Sequence, residues 1–196
     1  SSFLALDRGR PTTLKQRYRA QGKTLLRVSR LQQDSIPLAL QVEFFDKVLE
    51  IIDDCDCLIF SDFNYGCLPQ NLVDQIIVVA REKGILMTAD SQSSSQIGDI
   101  ARFRKMDLIT PTEREARVSL KNQEDGLVIL AEKLRTAAEA KHIILKLGQD
   151  GLLVQTSLSN EDGIYTDQVH ALNIAPKDVA GAGDSVLISA SLAMAA

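Results

Sequence analysis

Cysteine is scarce in this sequence: three in 196 residues, at 55, 57 and 67. An odd number gives no closed disulfide framework, and C-x-C is neither a zinc nor a redox spacing. Cys55 and Cys57 lie in an apolar stretch and read as buried thiols, which points to a reducing, cytoplasmic compartment. Histidine is equally sparse. Neither His142 nor His170 has a Cys, His or carboxylate at ligand spacing, so both read as structural. No basic block dominates. Twenty-two Lys and Arg stand against 26 Asp and Glu, a net charge of −4, which argues against a nucleic-acid partner. The apolar end, from residue 185 onward, is too short to span a bilayer, so no membrane partner is expected. Residues 1–7 have neither the length nor the charge of a signal peptide. There is no internal repeat, no G-x-x-x-x-G-K-[ST] phosphate loop and no dinucleotide fingerprint.

What remains is ordinary globular material, 45% hydrophobic and 24% charged. Basic residues gather between Arg8 and Arg30. They read as the outward face of strands, with a local anion site as the alternative. Residues 12–30 alternate: Thr12, Leu14, Gln16 and Tyr18 share one parity, and Lys15, Arg17 and Arg19 the other. With a break at residues 21–23, this predicts a two-stranded hairpin with one wet face.

Strands and helices then alternate. Helices are predicted over residues 37–52, 69–83, 112–120, 124–140 and 181–196. Strands are predicted over 57–61, 85–89, 107–110, 142–147 and 152–156, the last two paired across a turn. Residues 91–96 form a short Ser/Gln-rich loop. The alternation implies an α/β fold with a mostly parallel sheet and helices on both faces.

Ligands of such sheets bind beyond the carboxyl ends of the strands. Asp62, Asp90, the segment Thr110-Pro111-Thr112-Glu113-Arg114-Glu115, and Lys146 all fall there. Each could equally be a helix cap or a turn residue. The most informative segment is Asp178-Val179-Ala180-Gly181-Ala182-Gly183-Asp184-Ser185, where small residues lead into an apolar helix. Glycines admit a ligand close to the backbone, and free N–H groups at a helix start attract phosphate. A carboxylate beside such an anion site suits a base that deprotonates an attacking hydroxyl. The alternative is a Gly-rich turn whose Asp is favoured by the helix dipole.

Residues 178–185 closely resemble the D-[TV]-[TV]-G-A-G-D-[ST] signature of the ribokinase-like (PfkB) carbohydrate kinases. Three other segments resemble the family's motifs in the right order. Ser61-Asp62-Phe63-Asn64-Tyr65-Gly66 resembles S-D-Y-x-x-G, residues 110–116 resemble T-P-N-x-x-E, and residues 146–151 resemble the K-x-G-x-x-G nucleotide turn. Residues 11–17 resemble P-T-x-x-K-x-R of one subgroup, the heptose-7-phosphate kinases.

The resemblance implies a ribokinase-like three-layer sandwich, here incomplete, with residues 1–36 as the end of a β lid and 37–196 as the core. It implies ATP- and Mg²⁺-dependent phosphorylation of a sugar or sugar-phosphate hydroxyl, most closely that of D-glycero-D-manno-heptose 7-phosphate. Another sugar or a nucleoside, or a non-catalytic nucleotide-binding scaffold, are the alternatives. By motif, Asp184 is the catalytic base, and the N–H groups of Gly181, Ala182 and Gly183 stabilise the transferred phosphoryl group. Lys146, Gly148 and Gly151 line the nucleotide site, Glu115 with Thr112 organises Mg²⁺, and the stretch at Asp178 holds a monovalent cation. The resemblance also implies a homodimer paired through the lid hairpin. Three departures stand out: Thr112 replaces the family's Asn, Val179-Ala180 replaces a pair that usually includes Thr, and the first βα units have no counterpart. The chain reads as a fragment of a longer protein or as a shortened relative.

Overall fold

The computed structural model describes residues 3–20, 23–30, 32–92, 98–157, 163–173 and 179–196. Asp178, the turn at 21–22 and most of the Ser/Gln-rich loop lie outside the described residues.

The chain opens with an antiparallel pair, β1 (Leu14–Ala20) and β2 (Lys23–Arg30), which joins no other strand among the described residues. Then come α1 (Leu38–Ile51), β3 (Cys57–Asp62), α2 (Gln70–Glu82), β4 (Leu86–Ser91), β5 (Leu108–Ile109), α3 (Glu113–Leu120), α4 (Leu127–Ala137), β6 (His142–Lys146), β7 (Leu152–Ser157), β8 (Ile164–Val169) and α5 (Ala182–Ala195). The six strands β3 to β8 form one sheet in sequence order. The first four run parallel, and β7 and β8 return antiparallel.

Right-handed crossovers between neighbouring parallel strands place their helices on a single face. That face holds the core. Phe60, Met87, Ala89, Ile109, Ile143 and Leu145 of the sheet pack against α2 and α4. Helix α2 contributes Leu72, Val73, Ile76, Ile77 and Ala80, a stripe at helical spacing. Leu130, Ala131 and Leu134 of α4 complete the layer. Each of the larger side chains here contributes about 1.5–3 kcal/mol on full burial. Helix α5 packs on β3 and β4, where its buried Ser191 meets Thr88, hydroxyl to hydroxyl, at 2.7 Å.

Several expectations change. Helix α4 is shorter than residues 124–140. Asn122 Oδ1 accepts the N–H groups of Glu124 and Asp125, so a turn occupies the start and Gly126 becomes the N-cap. At the other end Glu139 turns left-handed at φ 53°. Strand β8 was not predicted. All its residues are exposed at the sheet edge, so burial leaves no apolar alternation to read. Cys55 and Cys57 are half-buried rather than buried; burial still pushes the Cys57 thiol up, with the Asp107 charge adding to it. The hairpin has no dry face, since every residue of β1 is exposed.

Candidate active site

The carboxyl ends of the parallel strands open into a cavity of about 760 Å³. Its walls come from five places along the chain. The end of β6 and the following turn supply Lys146, Gly148 and Gly151, and the start of α3 supplies Thr112 and Glu115. The start of α5 supplies Ala182, Gly183 and Val186, and the hairpin supplies Lys15 and Arg17. Val169, His170, Ala171 and Leu172 close the side beyond β8.

Lys146 ends β6, and its ammonium bonds both oxygens of Asp90, on β4, at 2.9 and 3.1 Å. The pair is enclosed, with side chains 12% and 3% exposed. Burial pushes the Asp90 carboxyl above the usual carboxylate range; the Lys146 ammonium opposes that push, and the Glu115 charge adds to it. Thr112 and Glu115 form a reciprocal cap on α3. The Thr112 N–H donates to Glu115 Oε2 at 2.7 Å, and the Glu115 N–H to Thr112 Oγ1 at 3.2 Å.

Two glycines of the turn differ in kind. Both have positive φ, 65° at Gly148 and 91° at Gly151. Gly148 faces open space, whereas a methyl group at Gly151 would lie 2.0 Å from the Val169 carbonyl. Gly151 therefore allows the turn to press against the end of β8.

Gly181 caps α5 at φ 79°. The Ala182 N–H donates to the Val179 carbonyl at 3.2 Å. Gly183 borders Lys146: a methyl group there would lie 3.2 Å from Nζ. Asp184 is half-buried in the same first turn but is not among the lining residues, nor is Gly181. Among the described residues, no three His, Cys, Asp or Glu side chains are grouped to hold a metal ion. A Mg²⁺ ion carried by a nucleotide needs only one or two carboxylates besides phosphates and water, and the Glu115 carboxylate in the cavity wall fits that need.

The hairpin is tied to the loop after β3. Arg10 donates to the carbonyl oxygens of Tyr65, at 2.5 Å, and of Asp34. Lys15 Nζ lies 4.9 Å from the Tyr65 ring and 5.4 Å from the Phe63 ring. Lys15 and Arg17 thus face the cavity, where an outward strand face was expected. Asp62, by contrast, does not line the cavity. It pairs with Arg102 at 2.7 Å and accepts the Asn64 N–H at 2.9 Å, shaping the loop. His142 keeps a structural place, its Nδ1 lying 2.5 Å from Thr156 Oγ1. His170 instead joins the cavity wall. The sequence reading did not single out Leu172 or the Asp90–Lys146 contact. The parity of Lys15 and Arg17 was the available signal for the hairpin's share of the site.

The profile of the pfkB family carbohydrate kinases matches residues 3–193. The chain belongs to this family. Among similar proteins, the bifunctional protein HldE of Helicobacter hepaticus is 28% identical over 200 residues, covering 98% of this chain and 39% of that protein. The chain thus spans about two fifths of the length of the curated relative it matches. Phosphofructokinase-2 of Escherichia coli, solved with substrates and products, superposes with a TM-score of 0.67 at 20% identity, covering 94% of this chain and 58% of that one. The same enzyme has been solved with potassium and as an inhibited tetramer. Ribokinase of Arabidopsis thaliana, solved with ribose and ATP, gives 0.60 at 19% identity, covering 76% and 46%. These neighbours establish a ribokinase-like α/β fold for this pfkB member. No helix among the described residues is long and apolar enough to cross a membrane.

Proposed function

We propose that this chain carries the nucleotide and catalytic side of a cytoplasmic, ATP-dependent sugar kinase, with residues 1–36 as lid and 37–196 as core. One observation carries the reading. The Gly-rich start of α5, the Lys146–Asp90 pair and the Glu115 carboxylate all meet at one cavity beyond the parallel strand ends. An anion entering there meets helix N–H groups and an ammonium together. Lys146, Gly148 and Gly151 would line the nucleotide. Glu115, with Thr112, would hold Mg²⁺, whose charge offsets that of the nucleotide phosphates. Asp184 would take the proton from the sugar hydroxyl as its oxygen bonds to phosphorus, and ADP would leave. The N–H groups of Gly181, Ala182 and Gly183 would stabilise the charge on the phosphoryl group in flight, that of Ala182 by exchanging the Val179 carbonyl for the anion. Asp178 belongs to the stretch proposed to hold a monovalent cation.

The substrate favoured is D-glycero-D-manno-heptose 7-phosphate, since the HldE relative matches nearly the whole chain. The hairpin would pair with that of a second copy. A kinase-like scaffold without turnover is the second reading, favoured because Asp184 stands outside the cavity lining. The deciding experiment is sugar-dependent ADP release by the natural protein with Mg²⁺ and a panel of heptose 7-phosphate, fructose 6-phosphate and ribose. Asp184→Asn should lower kcat by about 100-fold or more. No release from a folded protein that binds ATP would favour the scaffold.

A further inference from the structure

A lysine at the end of a strand ordinarily swings in solvent, and its long side chain keeps many rotamers. Lys146 does not. Both oxygens of Asp90 hold its ammonium, at 2.9 and 3.1 Å, and the pair is nearly closed off from water. Above the ammonium sits Gly183, where even a methyl group would come within 3.2 Å of Nζ. The charge is therefore fixed between the sheet and the first turn of α5, and its cavity side is open to a ligand.

We infer that Asp90 is a positioning residue: it fixes the Lys146 ammonium beneath Gly183, so that the ammonium reads the terminal phosphoryl group of the bound nucleotide. The inference rests on the kinase reading above. Three features argue for it. A buried ion pair brings little net stability over an apolar pair, so its presence at a cavity wall calls for another use. A fixed ammonium at low dielectric stabilises developing phosphoryl charge without reorganising when the reaction occurs. The absence of a side chain at Gly183 lets the ammonium and the helix N–H groups approach one anion together. Asp90 touches neither nucleotide nor sugar in this arrangement. It acts through Lys146 alone.

The test compares the natural protein with Asp90→Asn, Lys146→Gln and the neutral double variant Asp90→Asn/Lys146→Gln, each with a melting curve. A single change leaves a buried partner unmatched and can unfold the chain, so the double variant is the decisive one. The binding readout is calorimetric affinity for ATP against ADP, which needs no turnover. The natural protein should prefer ATP by about tenfold or more, and the double variant should lose that preference. Its kcat should fall by about 100-fold with the sugar KM nearly unchanged, although it melts close to the parent. Asp90→Asn alone should lower kcat in the same direction, again without moving the sugar KM. A double variant that keeps the ATP preference, or recovers kcat together with stability, would show the pair to be purely structural and overturn the inference. A natural protein that releases no ADP with any sugar would overturn the kinase reading instead, and the ATP-to-ADP comparison would still decide the role of Lys146.

Discussion

Thr112 and Glu115 hold each other in place: each donates its backbone N–H to the other's side chain, at 2.7 and 3.2 Å. Thr112 takes the place of Asn in the motif that residues 110–116 resemble, and here its hydroxyl closes the first turn of α3. The cap also fixes Glu115, the carboxylate proposed for Mg²⁺. Thr112→Ala should therefore cost about 1 kcal/mol of stability and also raise the Mg²⁺ concentration needed for half-maximal turnover. Thr112→Asn, an equally good N-cap, should leave stability within about 0.5 kcal/mol. Urea unfolding and a Mg²⁺ titration check the two parts separately. An unchanged urea midpoint in Thr112→Ala would show that the cap carries no weight.

The two glycines of the turn after β6 should respond differently to alanine. At Gly148 the penalty is the left-handed backbone alone, about 1–2 kcal/mol. At Gly151 the new methyl group meets the Val169 carbonyl at 2.0 Å, so β8 must move as well. Gly151→Ala should lose more stability than Gly148→Ala. It should also weaken ATP binding, because His170 and Leu172 of the cavity wall follow β8 directly. Equal midpoints for the two variants would show that β8 yields freely.

Much of this architecture was legible along the chain. Gly84, left-handed at φ 68°, marks the end of α2, and the apolar stripe of that helix gives its buried face. The strand-end polar residues were visible as a set, because topology alone brings them to one edge. Their partnerships were not. Lys146 and Asp90 stand 56 residues apart, and nothing local says which carboxylate the ammonium will meet. Asp62 looked the equal of Asp90, yet Arg102 from a separate 3-10 turn neutralises it, and it shapes the loop instead. The hairpin shows the same limit. Its parity was readable, but which parity faces the cavity depends on Arg10 and Lys15 meeting the loop after β3.

Burial pulls the His142 imidazole below its ordinary value, outweighing the raising effect of Asp107. The folded protein therefore binds fewer protons at this site than the unfolded chain does. The stability contributed by the neutral ring is present above about pH 6.5 and is lost as pH falls through the lower folded value. His142→Gln should flatten the stability profile below about pH 6.5 while leaving its neutral portion comparatively level. Urea midpoints measured across that range check it, and parallel profiles for parent and variant would contradict it.

The hairpin makes the clearest case for a second copy of the chain. Lys15 and Arg17 point to the cavity, so the opposite parity points away from it. Leu14 and Tyr18 of β1 share that far face with Leu26 and Val28 of β2, by the register Tyr18 with Leu26 and Gln16 with Val28. All four are exposed. A two-stranded ribbon is marginally stable in water unless something covers its apolar face. A second hairpin, laid face to face, would bury these side chains and steady the wall that carries Arg17. Light scattering on the natural protein should then give twice the mass of its chain, and Leu26→Asp should return a monomer. Because Lys15 and Arg17 would lose their support, the same variant should raise the sugar KM while its melting transition stays cooperative. A parent that is monomeric across micromolar concentrations would remove the hairpin as an interface, and its apolar face would need another account.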